Sequence, residues 1–522
     1  MALREGDPHV ARLFKSVQKE YPEPVEARLK GKLPDWLEGS LIRNGPGLFE
    51  VGETSYKHWF DGLSLLHRFS FEKGRVTYHN RFLRSDAYTK AKKYNKIIYG
   101  EFGTVGIPDP CKNILERFAS HFVPISTTDN NLINFYKIGD EVYTSTETNT
   151  PIQINVKDLS TGPKIDMFRA FWTMTATAHG QVDHDGYTYN IGTSYFTGCN
   201  YNIIKFNHKC KEDPTQEAKI ICTIPARYKT RPSYYHSFGM TENYFVFLEQ
   251  TLFISVPKLA TSTILQIPVC ECLQYDPNDT SLFHVIKKTT GEVLPIKFAA
   301  GPLFGMHTIN SYEQDGQIVF DICCFPDDSL IKKFYLEYLR NGDANGKRNF
   351  PRAEVRRYVL PLNIDLNKTS RGVNLVTLPD TSATAVLHDD GVVFLTHDIF
   401  SPIGFDMPNI NQRVNGRAYR YVYGNCNKAL GEFVNTIVKT DIKTRTCEVW
   451  HEDYCYPSEP VFVEAPGAVK EDDGVILSSV LNSKTGRAFL LVLNASDLKE
   501  LSRAEIPADV ECGLTFHGQF VQ

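Results

Sequence analysis

The dominant pattern along the chain is a tight turn followed by a run of β-branched and aromatic residues, the signature of short antiparallel strands. Turn-like pairs stand at Lys73-Gly74, Gly139-Asp140, Asp185-Gly186, Glu242-Asn243, Asp315-Gly316, Asp390-Gly391 and Asp473-Gly474. Each opens an extended segment such as Tyr244-Phe-Val-Phe-Leu248, Gln317-Ile-Val-Phe-Asp321 or Val475-Ile-Leu-Ser-Ser479. The seven pairs lie 46 to 83 residues apart. That is loose for a sequence repeat but suits four-stranded sheet units with long insertions, and closing such units into a ring removes free strand edges. The pattern predicts an all-β fold, a seven-bladed β-propeller, although turns taken from any strand-rich chain will fit some period.

Helical patterning is scarce. Ile114, Leu115, Phe118 and Phe122 recur at helical spacing after Pro108-Asp-Pro-Cys111, giving one apolar face. Lys112 and Arg117 flank that face, and Lys90, Lys92, Lys93 and Lys96 precede it. A segment lying in a membrane interface has this character; so does a helix packed on its own core. Cys111 is a candidate for palmitoylation or an ordinary buried thiol.

Composition narrows the class. The chain of 522 residues is 42% hydrophobic and 23% charged, enough to bury a large core unaided. Its length alone would allow several domains, but closed β architectures often run long as one unit. Residues 1–22 read as an N-terminal extension and 23–522 as a single propeller domain. A formal net charge of -4 with scattered Lys and Arg excludes the footprint of a nucleic-acid binder. The twelve cysteines form no repeated CxxC pattern, so no zinc site is read from them and most are expected to be reduced. The first 22 residues contain no apolar run and several acids, which fits neither a secretory signal nor a transit peptide. No stretch of 18 apolar residues is present, so nothing is expected to span a bilayer.

Three of the 15 histidines occupy comparable places. His179 precedes Asp185 by six residues, His236 precedes Glu242 by six, and His307 precedes Asp315 by eight. If each turn begins a new strand at one end of a blade, these imidazoles lie at similar heights and converge on a common axis. Converging neutral imidazoles form a metal site that accepts zinc, copper or iron. The alternative is three separate structural histidines.

Several long segments carry a resemblance. Leu41-Ile-Arg-Asn-Gly-Pro-Gly47, His58-Trp-Phe-Asp-Gly62, Glu101-Phe-Gly-Thr104, Pro108-Asp-Pro-Cys-Lys-Asn113, Ser145-Thr-Glu-Thr-Asn149, Pro232-Ser-Tyr-Tyr-His-Ser-Phe-Gly239, Tyr456-Pro-Ser-Glu-Pro460 and Phe516-His-Gly518 occur in this order. Together they resemble the carotenoid cleavage oxygenase family in its animal branch, over nearly the whole chain. The resemblance implies a seven-bladed propeller with short helices and loops forming a dome over its top face and the C-terminus closing the ring. It implies Fe(2+) on the axis, held by His179, His236, His307 and His517. It also implies a hydrophobic tunnel leading to the metal and an apolar patch that docks on membranes, here Cys111, Ile114, Leu115, Phe118 and Phe122.

In this family three carboxylates orient three of the ligand imidazoles. Glu147 and Glu459 match; Asp406 stands in Phe405-Asp-Met-Pro408 where a glutamate is usual. One methylene less implies either a bridging water or a backbone drawn inward. Gly180-Gln181 also replaces the usual Pro-His pair after His179, a departure that touches the local loop more than the ligand. Phe102, Thr146 and Phe325 lie in or beside tunnel motifs and could equally be core.

The implied activity is oxidative cleavage of a carotenoid double bond by O2, giving two carbonyl products. Four neutral imidazoles leave iron its full charge and two open positions, and the protein's task is to position the polyene. Tyr201-Asn-Ile-Ile204, Asp321-Ile-Cys-Cys324 and Tyr456-Pro-Ser-Glu-Pro-Val-Phe462 read closest to the eccentric 9',10' cleavers. Arg84-Ser-Asp86 and Arg420-Tyr-Val422 suggest central 15,15' cleavage to retinal; a retinyl ester isomerohydrolase is a third reading. A non-enzymatic propeller scaffold is a fourth, opposed by the intact histidine set. The expected partners are a carotenoid or retinoid, O2 and a membrane surface, in the cytoplasm with peripheral membrane association or in the mitochondrion.

Overall fold

The computed structural model describes residues 7–106, 128–195, 198–207 and 213–522. The expected apolar helix with Cys111, Ile114, Leu115, Phe118 and Phe122 lies outside the described residues.

Seven antiparallel sheets form the blades of a propeller. From the axis outward, blade two runs Asn134–Ile138, Glu141–Ser145, Ile152–Ile154 and Thr161–Lys164, the simplest of the set. Blades three, four and five begin at the axis with Thr175–Ala176 continued by Gln181–Val182, with Gly239–Met240, and with Phe304–Gln314. Blade six begins with Asp406–Asn409, and blade seven with Cys455–Pro457 continued by Val461–Glu464. Asp315 and Gly316 both take positive φ, 49° and 72°, the backbone of a two-residue hairpin whose twist matches the strands it joins.

Six of the seven turn pairs fall inside blades. Asp390-Gly391 instead joins Thr384–Leu387 to Val392–Thr396, a hairpin that extends blade four by pairing parallel to Lys297–Ala300. Blade six reaches its second strand, Tyr421–Cys426, through a longer loop, so it has no tight turn to betray it.

Both chain ends close the ring. Gly518–Val521 pairs with Gly39–Leu48 as the axial strand of blade one, while Arg28–Gly31 pairs with Glu500–Glu505 as the outer strand of blade seven. Neither end can leave without exposing a sheet edge. The first described residues are also held: Val10, Leu13 and Phe14 are buried, and Tyr456 Oη donates to Asp7 at 2.8 Å. Among the described residues no helix is long and apolar enough to cross a membrane.

Candidate metal centre and cavity

Every blade sends one residue of the expected set to the axis. His179 sits between the two axial segments of blade three, His236 just before that of blade four, His307 within that of blade five, and His517 just before that of blade one. Glu147, Asp406 and Glu459 come from blades two, six and seven. The ligand atoms of the four imidazoles lie within 4.8 Å of one another. Nε2 of His236 is 2.9 Å from that of His179 and 3.1 Å from that of His307, which is 3.2 Å from that of His517. With metal–nitrogen bonds of about 2.1 Å, ligands at right angles stand ~3.0 Å apart and tetrahedral ones ~3.4 Å apart. The observed separations are of the size that one metal ion held by His179, His236, His307 and His517 would require.

The far side of each ring fixes its tautomer. His236 Nδ1 donates to Glu147 Oε1 at 2.5 Å, His307 Nδ1 to Asp406 Oδ1 at 2.7 Å, and His517 Nδ1 to Glu459 Oε1 at 2.9 Å. Since a neutral imidazole carries one N–H, these three rings turn bare Nε2 lone pairs toward the centre. Lone pairs about 3 Å apart repel, and a cation between them relieves that repulsion. The residues therefore fit a divalent metal, with three carboxylates behind the rings to balance its charge.

The acid–base behaviour of the site follows from burial. Burial, reinforced by the other three imidazoles, holds His179 well below the ordinary histidine range, and burial likewise lowers His307 against the pull of Asp406. Burial would raise Asp406, but the His307 ring outweighs it and leaves the carboxyl below its usual range. Near pH 7 His179 and His307 are therefore neutral and Asp406 is ionised, as metal ligation requires.

Three supporting groups were missed by sequence reasoning. Tyr234 Oη donates to Glu147 Oε1 at 2.7 Å, steadying the carboxylate that holds His236; its signal was its place two residues before the ligand. The Asn134 amide stands 3.1 Å from His179 Nδ1, so this ring alone of the four leans on a group that can offer either an N–H or an oxygen. Arg43, fully buried, donates from Nη1 to Glu459 O at 2.8 Å, from Nη2 to Phe516 O at 2.6 Å and from Nε to Thr515 Oγ1 at 2.8 Å. It ties the carboxylate and the ligand of the closing strand to one rigid fork. The altered loop after His179 is ordered: Gln181 donates to Phe238 O and pairs with Tyr189.

A cavity of about 630 Å³ opens on this centre and is lined by His236, His307 and His517. Phe102, Thr146 and Phe325 all line it. Trp59 and Phe60 pack on Phe516 at 4.6 and 5.3 Å between ring centroids, so the residue before His517 anchors an aromatic wall. Ile264 and Val269 also line the cavity, and with Leu265 they are 64%, 38% and 60% exposed. A cavity whose wall is largely apolar suits an apolar ligand.

A four-imidazole centre on the axis of a seven-bladed propeller defines a class of propeller metalloenzyme. The model of the retinal pigment epithelial membrane protein family (RPE65) matches residues 14–522. The chain is 40% identical over 540 residues to a mitochondrial carotenoid-cleaving dioxygenase of Mustela putorius furo, covering 100% of this chain and 98% of that one. It is 39% identical over 521 residues to the β,β-carotene 15,15'-dioxygenase of Homo sapiens, covering 98% and 94%. In fold it is similar to a Synechocystis apocarotenoid oxygenase variant, with a TM-score of 0.78 at 20% identity over the whole of both chains. The chain belongs to the RPE65/carotenoid oxygenase family, and it is an enzyme of the oxygenase kind.

Proposed function

We propose that this enzyme is an iron(II) dioxygenase that cuts one double bond of a carotenoid, with eccentric 9',10' cleavage as its favoured reaction. The observation that carries the reading is the convergence of His179, His236, His307 and His517 beside a largely apolar cavity. Iron(II), held by those four rings, would supply the activation of O2. The chain's own residues do the rest. Glu147, Asp406 and Glu459 keep the rings in their ligating tautomer, the aromatic wall around Phe516 excludes water, and Phe102, Thr146 and Phe325 help set which bond stops at the centre.

Central 15,15' cleavage is the second reading, favoured by an identity of 39% to the human 15,15'-dioxygenase against 40% to the ferret enzyme. Access from a bilayer is part of the proposal. The exposed Ile264, Leu265 and Val269 lie at or beside the cavity, and they would let a carotenoid pass from lipid without crossing water. Peripheral attachment in the cytoplasm or the mitochondrion follows, the latter supported by the name of the ferret relative. The propeller, residues 23–522, would work as one unit.

Incubation of iron-loaded protein with β-carotene under ¹⁸O₂, followed by mass analysis, tests the reading. Two apocarotenoids of unequal length, each carrying one ¹⁸O, are expected. Two retinals would move the assignment to central cleavage, and intact β-carotene together with isomerised retinol from a parallel incubation with a retinyl ester would move it to the isomerohydrolase. Iron-free protein in which His236→Ala changes only partner binding would leave a scaffold.

A further inference from the structure

Three asparagines, Asn134 in blade two, Asn190 in blade three and Asn310 in blade five, hold their amides in the same way. In each, Oδ1 accepts from the backbone N–H of the next residue, Phe135, Ile191 or Ser311, at 2.7, 2.7 and 2.9 Å. The amide nitrogen is thereby turned toward a neighbouring segment. Asn190 Nδ2 donates to Thr177 O at 3.0 Å, and Asn310 Nδ2 donates to Val414 O and Arg417 O at 3.1 and 2.9 Å. Carbonyl oxygens only accept, so these two amides stand only this way round. Asn134 repeats the arrangement, except that its Nδ2 meets a metal ligand, His179 Nδ1, at 3.1 Å.

Turning the Asn134 amide over would set its NH2 group against the Phe135 N–H and lose the bond of 2.7 Å. His179 Nδ1 is therefore an acceptor, which places the single proton of the neutral ring on Nε2, the atom aimed at the centre. The ring next to it agrees. His236 keeps its proton on Nδ1, facing Glu147, so its bare Nε2 accepts from His179 Nε2 at 2.9 Å. Before His179 can ligate, that proton has to leave Nε2, and on Nδ1 it would meet the Asn134 N–H head on. His236, His307 and His517 meet no such conflict, because a carboxylate waits behind each of them. They are also buried, whereas His179 is only partly so.

We infer that Asn134 is a positioning residue that makes His179 the most weakly held of the four metal ligands. This rests on the reading of the four rings as a metal centre. A ring without a carboxylate behind it is a poorer base and freer to turn, and the loss of such outer partners weakens metal binding in general.

The test uses the full-length protein and two readouts, neither of them turnover. Metal-free protein labelled with ¹⁵N-histidine, with the His179 signals assigned by their loss in His179→Gln, should show that ring protonated on Nε2. In Asn134→Asp, one oxygen stays on Phe135 N and the other accepts from the ring, so His179 should change to the Nδ1–H form. The second readout is Co(II) affinity by chelator competition. Asn134→Asp should bind about tenfold more tightly than the unaltered protein, a gain that a merely structural asparagine would not give, and Asn134→Ala should show no gain. His179→Ala should cost at least tenfold less affinity than His517→Ala. A His179 ring protonated on Nδ1 in the unaltered protein, or Co(II) affinity unchanged or lowered in folded Asn134→Asp, overturns the proposal. If Asn134→Asp does not fold, the proton of the unaltered ring and the two alanine variants decide. An unaltered protein that takes up neither Co(II) nor iron overturns the metal reading and this proposal with it, whereas uptake with the wrong tautomer overturns this proposal alone.

Discussion

Asp406 reaches His307 directly, with Oδ1 2.7 Å from Nδ1, although it is one methylene shorter than the glutamates behind His236 and His517. The backbone makes up the difference. Asp406 pairs with Asn425 and Asn409 with Tyr423, so the axial strand carries one extra residue, and Met407 takes the left-handed conformation at φ 53°. Such a bulge re-aims the side chain beside it. Gly424, opposite the bulge, makes room, since a Cβ there would stand 2.3 Å from Phe405 Cδ2.

Asp406→Asn keeps the shape and removes the charge that holds the ring proton. Metal affinity should fall about 10- to 100-fold. Gly424→Ala should act in the same direction by pushing the bulge away. Iron retained against a graded chelator series measures both, and unchanged retention in Asp406→Asn would contradict the assigned role.

Arg43→Met should destabilise the fold by roughly 3 kcal/mol or more, because Glu459 O, Phe516 O and Thr515 Oγ1 lose a buried charged donor together. Urea denaturation gives the figure. The same variant should hold iron less firmly, since His517 directly precedes the closing strand and follows Phe516, whose carbonyl Arg43 holds.

Metal removal should lower Tm, because the ion binds only the folded ring. A calorimetric scan of iron-loaded against chelated protein checks this. His236→Ala should abolish the difference between the two scans.

Acid should weaken the fold through His58. Its Nε2 donates to Ile331 O at 2.8 Å and its Nδ1 accepts from Phe60 N at 3.2 Å, so a second proton has no place. Burial pulls the ring down to about 4, partly offset by Ile331. The neutral ring's contribution is complete above the unfolded value near 6.5 and is lost as pH falls toward 4, at ~1.4 kcal/mol per pH unit. Asp61, pushed up to about 6 by burial, works in the opposite sense over much of that range. Replacing His58 by Asn should therefore lower the slope of stability against pH between pH 4 and 6 by about that amount, leaving the opposing Asp61 contribution uncovered, as read from urea midpoints.

The hairpins of this protein are local, and the sequence alone determined them. A pair such as Asp315-Gly316 closes its own turn whatever surrounds it, and the alternation after it marks a strand whether or not a sheet awaits. That is why similar offsets from their turns go with similar heights at the axis for His179, between the axial segments of blade three, His236, just before the axial strand of blade four, and His307, within that of blade five. His517 had no such signal, because its strand ends the chain and finds its partner, Gly39–Leu48, more than 450 residues away; the Phe516-His-Gly518 motif alone pointed to it. Asp390-Gly391 looked like the others but closes a hairpin at the edge of blade four, since a turn does not encode which sheet its strands will join. Only the tertiary structure decided that Arg43 would tie the segments bearing Glu459 and His517 together, and that a bulge would carry Asp406 to His307. Each of these depends on which blades become neighbours when the ring closes, and that is set by long-range packing rather than by any stretch of sequence.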